Sequence, residues 1–161
     1  MSSLTEKSFG DVHFGNSQLG HARRTKRLIK SANIIARHPG GSLPDKFKSP
    51  KDLKGFYRLC NCPEVTHDAI LDAHRQVTFG RIDDHNGPVL VIHDSTELDY
   101  TTHRKVDGLG QIGNGNRRGY IAHNSLAVNP TNREAIGLCN QMLHHRVKVR
   151  KKKKGAQKPQ L

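Results

Sequence analysis

The sequence contains no tryptophan, and with five phenylalanines and three tyrosines its aromatic content is 5% of 161 residues. A core made from this chain must be aliphatic, and a hydrophobic content of 34% keeps it modest. Long apolar runs are also missing. The longest, Pro88 to Ile92, falls far short of the roughly 20 residues a membrane helix needs. The opening MSSLTEKSFGDVHFG has no apolar stretch after a basic region, so neither a signal peptide nor a membrane partner is expected. Cysteine is scarce as well. Cys60 and Cys62 form a C-x-C, Cys139 is distant, and the spacing is not that of a metal knuckle. Reduced thiols in a cytoplasmic protein are the expectation.

Acids are the other shortage. Fourteen Asp and Glu face 27 Lys and Arg, leaving a formal net charge of +13. Cations in this excess gain affinity for polyanions by releasing condensed counterions, so nucleic acid is the expected partner.

The first half has helical periodicity. Leu19, Ala22, Leu28, Ile29, Ala32, Ile35 and Ala36 recur on one face of a segment expected to start near Asn16 or Ser17 and to run to about Arg37. Arg23, Arg24, Lys26, Arg27 and Lys30 crowd its other side, with no acid between Asp11 and Asp45 to pair with them locally. HPGG at 38–41 stops this helix. In SPKDLKGFYRLCN, Ser49 suits an N-cap, Pro50 the first helical position and Asp52 the positive helix end. Leu53, Phe56, Tyr57 and Cys60 are its expected buried side. Lys51, Lys54 and Arg58, with Lys46 and Lys48, extend the cationic patch, and Tyr57 either meets nucleic acid or joins the core. Thr66 caps a longer helix carrying Ile70, Leu71, His74, Val77 and Ile82.

The pattern changes at DDHNGP, 83–88. VLVIHD is short, β-branched and bounded by Gly-Pro, which predicts a buried strand. GYIAHNSLAV and EAIGLCNQML flank the turn signal NPTNR and predict a hairpin, with Tyr120, Ala122, Leu126 and Val128 alternating on one face. Gly108, Gly110 and Gly113 match G-x-G-x-x-G, but no strand precedes them and no helix follows, so a dinucleotide loop is excluded. The glycines read as a flexible loop, and Arg117 and Arg118 beyond it are placed to reach phosphate. From His144 the chain is basic without a single acid, the composition of a disordered tail.

Asp94 has two readings: an Asx-turn residue closing the strand, or a metal ligand held at a rigid strand end. Hard cations such as Mg²⁺ take oxygen ligands and leave positions for water and phosphate, and a two-metal clamp needs further carboxylates.

FGNSQLGHARRTKRLIKSANIIARHPGGSLPD, GFYRLCNCPEVTHDAILDAHRQ, VLVIHDSTELDYT and RRGYIAHNSLAV, in that order, resemble bacterial insertion-sequence transposases of the cut-and-paste DDE type. The resemblance spans roughly Phe9 to Met142. It implies an α+β chain: a helical domain at 1–84 that grips double-stranded DNA at transposon ends, then at 85–143 the first three antiparallel strands of a truncated RNase H-like catalytic domain, then a basic tail at 144–161. It also implies that Asp94, in its Asp-Ser-Thr context, is the first catalytic ligand of a Mg²⁺ (or Mn²⁺) pair. Arg23, Arg24, Arg27 and Lys30 map to the end-binding helix, and Tyr57 and Arg58 to the second matching segment. The pattern's second Asp and its Glu have no counterpart, because after Asp94 only Glu97, Asp99, Asp107 and Glu134 remain. The expectation is therefore a nucleoid-associated DNA-binding protein, catalytically incomplete alone, able to compete or associate with a full-length transposase. The alternative is a non-enzymatic basic DNA-binding or regulatory protein.

Overall fold

The computed structural model describes residues 7–103 and 105–146. Five helices come first: α1 Phe9–Phe14, α2 Ala22–Arg37, α3 Leu43–Lys46, α4 Pro50–Cys60 and α5 His67–Asp83. Four strands follow: β1 Leu90–Asp99, β2 Gly110–Gln111, β3 Arg118–Val128 and β4 Ala135–His144. β3 lies between β1 and β2 and also pairs with β4. β2 runs antiparallel to β3, with Gly110 opposite Gly119 and Gln111 opposite Arg118. The chain is thus α+β, helices followed by a small sheet.

Helix starts follow local chemistry. Ser49 caps α4 by accepting from Asp52 N–H, with Pro50 beginning the helix, and Thr66 caps α5 through Ala69 N–H. α2 departs from the periodicity. It starts at Ala22 behind His21, whose ring accepts from Arg23 N–H, because Asn16–His21 turns away from the separate short helix α1. Gly20, at φ +73, makes part of that turn.

The described residues divide between two compact units, bounded at Met1–Ile92 with Ser125–Gln141 and at His93–Asn124 with Met142–Leu161. The division does not follow the break at 84, since α5 grips the hairpin directly. His74 accepts from Leu138 N–H at 3.2 Å, and Arg81 donates to Ile136 O at 3.1 Å. A Cβ on Gly137 would stand 2.3 Å from Thr78 Oγ1, so only glycine allows this approach. The core of the first unit joins Leu19, Leu28 and Leu59, flanked by Phe14, Val65, Ala69 and Ile70. α1 closes on α2 so tightly that a Cβ on Gly10 would reach 2.4 Å from Ile29 O. The second unit buries Leu109, Ile112 and Ala122.

Several expectations need correction. On α4 it is Leu59 that is buried, while Cys60 is exposed and Tyr57 is 45% exposed, because Leu59 is the residue turned toward Leu19 and Leu28. On β3 the buried positions are Gly119, Ala122, Ser125 and Ala127, not a strict alternation, and Tyr120, Leu126 and Val128 are half-buried. β1 forms but is not buried: Leu90, Val91 and Ile92 are 52%, 48% and 50% exposed. It also continues five residues past Asp94. The expected loop at 108–113 contains β2, a fourth strand too short to leave a periodic signal. Of the stretch expected to be disordered, His144 ends β4 and Arg146 N–H bonds to Gln111 O at 3.0 Å; 147–161 lie outside the described residues.

Inside the first unit His13 is buried, its ring 4.8 Å from that of His74, and its Nδ1 has no partner among the described residues. Burial, then the neighbouring His74 and Arg81, hold the His13 pKa below the ordinary histidine value; burial and then Arg81 lower that of His74. The unfolded chain therefore binds protons on these rings at higher pH than the folded one. Stability should be fully present above about pH 6.5 and decline as pH falls below it. Thermal unfolding from pH 8 to 5 checks this: Tm should drop on the acid side, and His13→Phe should flatten the drop.

Candidate nucleic-acid interface

Two cationic helices meet in the first unit. On α2, Arg23, Arg27 and Lys30 stand at i, i+4 and i+7 and so share a stripe, with Arg24 and Lys26 beside it. On α4, Lys51, Lys54 and Arg58 stand at i, i+3 and i+7. Between the helices lies an open groove of about 270 Å³, lined by Arg23, Arg24, Arg27 and Arg58 over Leu59. Gly55 forms part of that lining, and a Cβ there would come 2.8 Å from the Arg27 guanidinium. Arg27 can therefore lie directly on the α4 backbone.

The cations fall into two sets. Asp52 accepts from Lys30 Nζ at 2.6 Å and from Arg27 Nη1 at 3.1 Å on the same oxygen, Oδ1, and its side chain is only 16% exposed. The Lys30 hydrogen bond is the main reason its carboxyl pKa lies below the usual range; the charges of Lys30 and Arg27 add to it. Arg24 bonds Glu64 at 3.2 Å and Leu19 O at 2.9 Å. The sequence shows no acid between Asp11 and Asp45 to pair with the α2 cations locally. The structure supplies acids from positions 22 to 40 residues further along, which local spacing cannot show. Arg23, Lys26, Lys51, Lys54 and Arg58 are exposed and make no ion pair among the described residues. They are the cations free to meet phosphate. Tyr57 is exposed beside them, which leaves it outside the core.

Arg117 and Arg118 belong to the second unit. Arg117 is held by Glu97 at 3.0 Å and Asp99 at 2.9 Å. Asp99 is drawn down to about 2, first by hydrogen bonds from the Thr101 hydroxyl and N–H and then by Arg117. Arg118 donates to Leu109 O at 2.8 Å.

Asp94 is exposed in the middle of β1, so it is neither a strand end nor a turn residue. Its neighbours His93 and Ser95 both meet His123: the rings stack at 5.5 Å and 9°, and Ser95 Oγ lies 2.8 Å from Nδ1. Side chains two apart share a face, so His93, Ser95, Glu97 and Asp99 line one side of β1 and Asp94 the other. Glu97 and Asp99 are thereby removed as partners for Asp94. Among the described residues, no group of three or more His, Cys, Asp or Glu is placed to hold a metal. The residues present do not fit a two-metal site. Likewise, no helix of the described residues is long and apolar enough to cross a membrane.

Residues 6–65 match a family model described as transposase DNA-binding. The matched segment contains α1 to α4, and with them both cationic stripes and the carboxylates Asp52 and Glu64 that hold part of them.

If Asp52 is what allows these cations to crowd together, Asp52→Asn should lower Tm most in dilute buffer. The deficit should shrink at about 1 M salt, where screening acts over roughly 3 Å. Equal deficits at low and high salt would show that the pairing contributes nothing electrostatic.

Proposed function

Taking residues 6–65 as a transposase DNA-binding domain, we propose that this chain binds the ends of a bacterial insertion sequence as part of a cut-and-paste DDE transposase. The observation that carries the reading is the free cationic set, Arg23, Lys26, Lys51, Lys54 and Arg58, displayed on two helices within the segment that matches. A helical domain that neutralises backbone phosphates with such a set binds duplex DNA with strong salt dependence. The sheet that follows is read as the opening strands of an RNase H-like domain, with Asp94 as its first metal-ligating carboxylate.

In this reading the chain has no catalytic activity alone. A Mg²⁺ or Mn²⁺ pair would serve the complete family by activating water and then a 3′-hydroxyl. Here Asp94 stands without a second carboxylate on its face of β1, so no catalytic step is assigned to it. What remains is end binding, which lets the chain occupy transposon ends and compete or associate with a full-length enzyme. The second reading, a non-enzymatic DNA-binding regulator, is favoured by the same separation of Asp94 from Glu97 and Asp99.

Retention of end-containing duplex DNA tests the first claim. Arg23→Gln with Arg58→Gln should weaken binding at least tenfold at about 0.1 M salt and flatten the salt dependence by roughly two phosphate contacts. Unchanged retention would refute it. A metal-dependent nicking assay tests the second: the chain should not cut alone, and cleavage that disappears in Asp94→Ala would overturn catalytic incompleteness.

A further inference from the structure

The second unit holds a cationic site of its own. An open cavity of about 660 Å³ is lined by Arg117, Arg118, His145 and Arg146 around Gln111 and Asn116, with no carboxylate in its lining among the described residues. Its cations are positioned rather than loose. Arg118 spends one donor on Leu109 O at 2.8 Å, and Arg146 spends one on Gly113 O at 2.9 Å. The main chain of Arg146 is fixed as well, through its N–H to Gln111 O. Each guanidinium carries five N–H donors in a fork that matches phosphate oxygens, so both keep most of their capacity for a ligand. Arg117 is the exception, since Glu97 and Asp99 already occupy it.

The glycines shape this cavity. Gly110 has no room for a side chain, because its Cβ would fall 1.9 Å from His145 Cδ2; the imidazole lies directly on β2. Gly115, at φ +77, takes a backbone conformation that side chains disfavour, and its carbonyl accepts from Gln111 Nε2 at 3.2 Å. Of the G-x-G-x-x-G run, Gly110 lines the cavity and the Gly113 carbonyl anchors Arg146.

We propose that this cavity binds phosphate through Arg118 and Arg146, with His145 beside them, and that the phosphate it takes is a DNA backbone phosphodiester. The site gives the chain a second phosphate contact in addition to the one on α2 and α4. The DNA assignment rests on the end-binding reading above; the phosphate site itself does not.

The test uses the full chain and two probes, duplex DNA and inorganic pyrophosphate. Arg118→Gln with Arg146→Gln should lower the slope of log affinity for DNA against log salt by about 0.9, the value for one phosphate no longer neutralised. It should also abolish pyrophosphate binding measured by calorimetry, and DNA should compete with pyrophosphate on the native chain. Because both arginines also hold carbonyls, the double lysine variant is the control: it keeps the charge, so the salt slope should be retained, while loss of the guanidinium fork should weaken pyrophosphate binding. An unchanged slope in the glutamine variant, where the α2 and α4 variant reduces it, overturns the DNA contact and leaves end binding standing. Pyrophosphate bound but not displaced by DNA likewise assigns the site to a free phosphate compound and overturns the DNA source. Absence of pyrophosphate binding by the native chain, or its persistence unchanged in the glutamine variant, overturns the site.

Discussion

Two helices that each carry a stripe of lysine and arginine repel one another, and beside the buried contact of Leu28 with Leu59 the carboxylate of Asp52 bridges them. Asp52 sits in the first turn of α4 and takes Lys30 and Arg27 of α2 on one oxygen. Its position serves three ends at once. It favours the positive helix end, it neutralises charge in the seam, and it lets Gly55 receive the Arg27 guanidinium against the α4 backbone. The remaining cations, relieved of mutual crowding, face solvent. The DNA-binding surface proposed here is what remains after the fold has used part of its own charge.

What the sequence made legible was local. The caps at Ser49 and Thr66 and the turn at NPTNR depend on a side chain meeting backbone a few residues away, the stop at HPGG depends on proline and glycine backbone, and each stands as read. What it hid was non-local or short. α1 and β2 span six and two residues, below the length at which a period shows. Glu64 and Asp52 reach the basic helix from 40 and 25 residues away, so a run that looked purely cationic is partly paired. β1 has the composition of a buried strand, but burial requires something to lie on it. Among the described residues Leu90 to Ile92 are only half covered.

Strand parity decides the standing of Asp94. Had β1 ended there, Glu97 and Asp99 would have been loop residues free to approach it. The strand instead runs on to Asp99, which commits them to the face that holds His123 and Arg117. Asp99, drawn down to about 2, is an ion-pairing carboxylate rather than a spare metal ligand. The resemblance to a DDE active site thus rests on one residue, while the resemblance to a DNA-binding domain rests on a whole surface.

The central claim is that the fold divides its cations into a held set and a free set. Side-chain NMR of the arginine guanidinium and lysine ammonium groups during titration with end-containing duplex reads both sets in one experiment. Arg23, Arg58, Lys51 and Lys54 should shift with added DNA, while Lys30 and Arg27 keep the signals of their Asp52 pairing. Shifts that begin at Lys30 and Arg27, with the exposed set unmoved, would contradict the account.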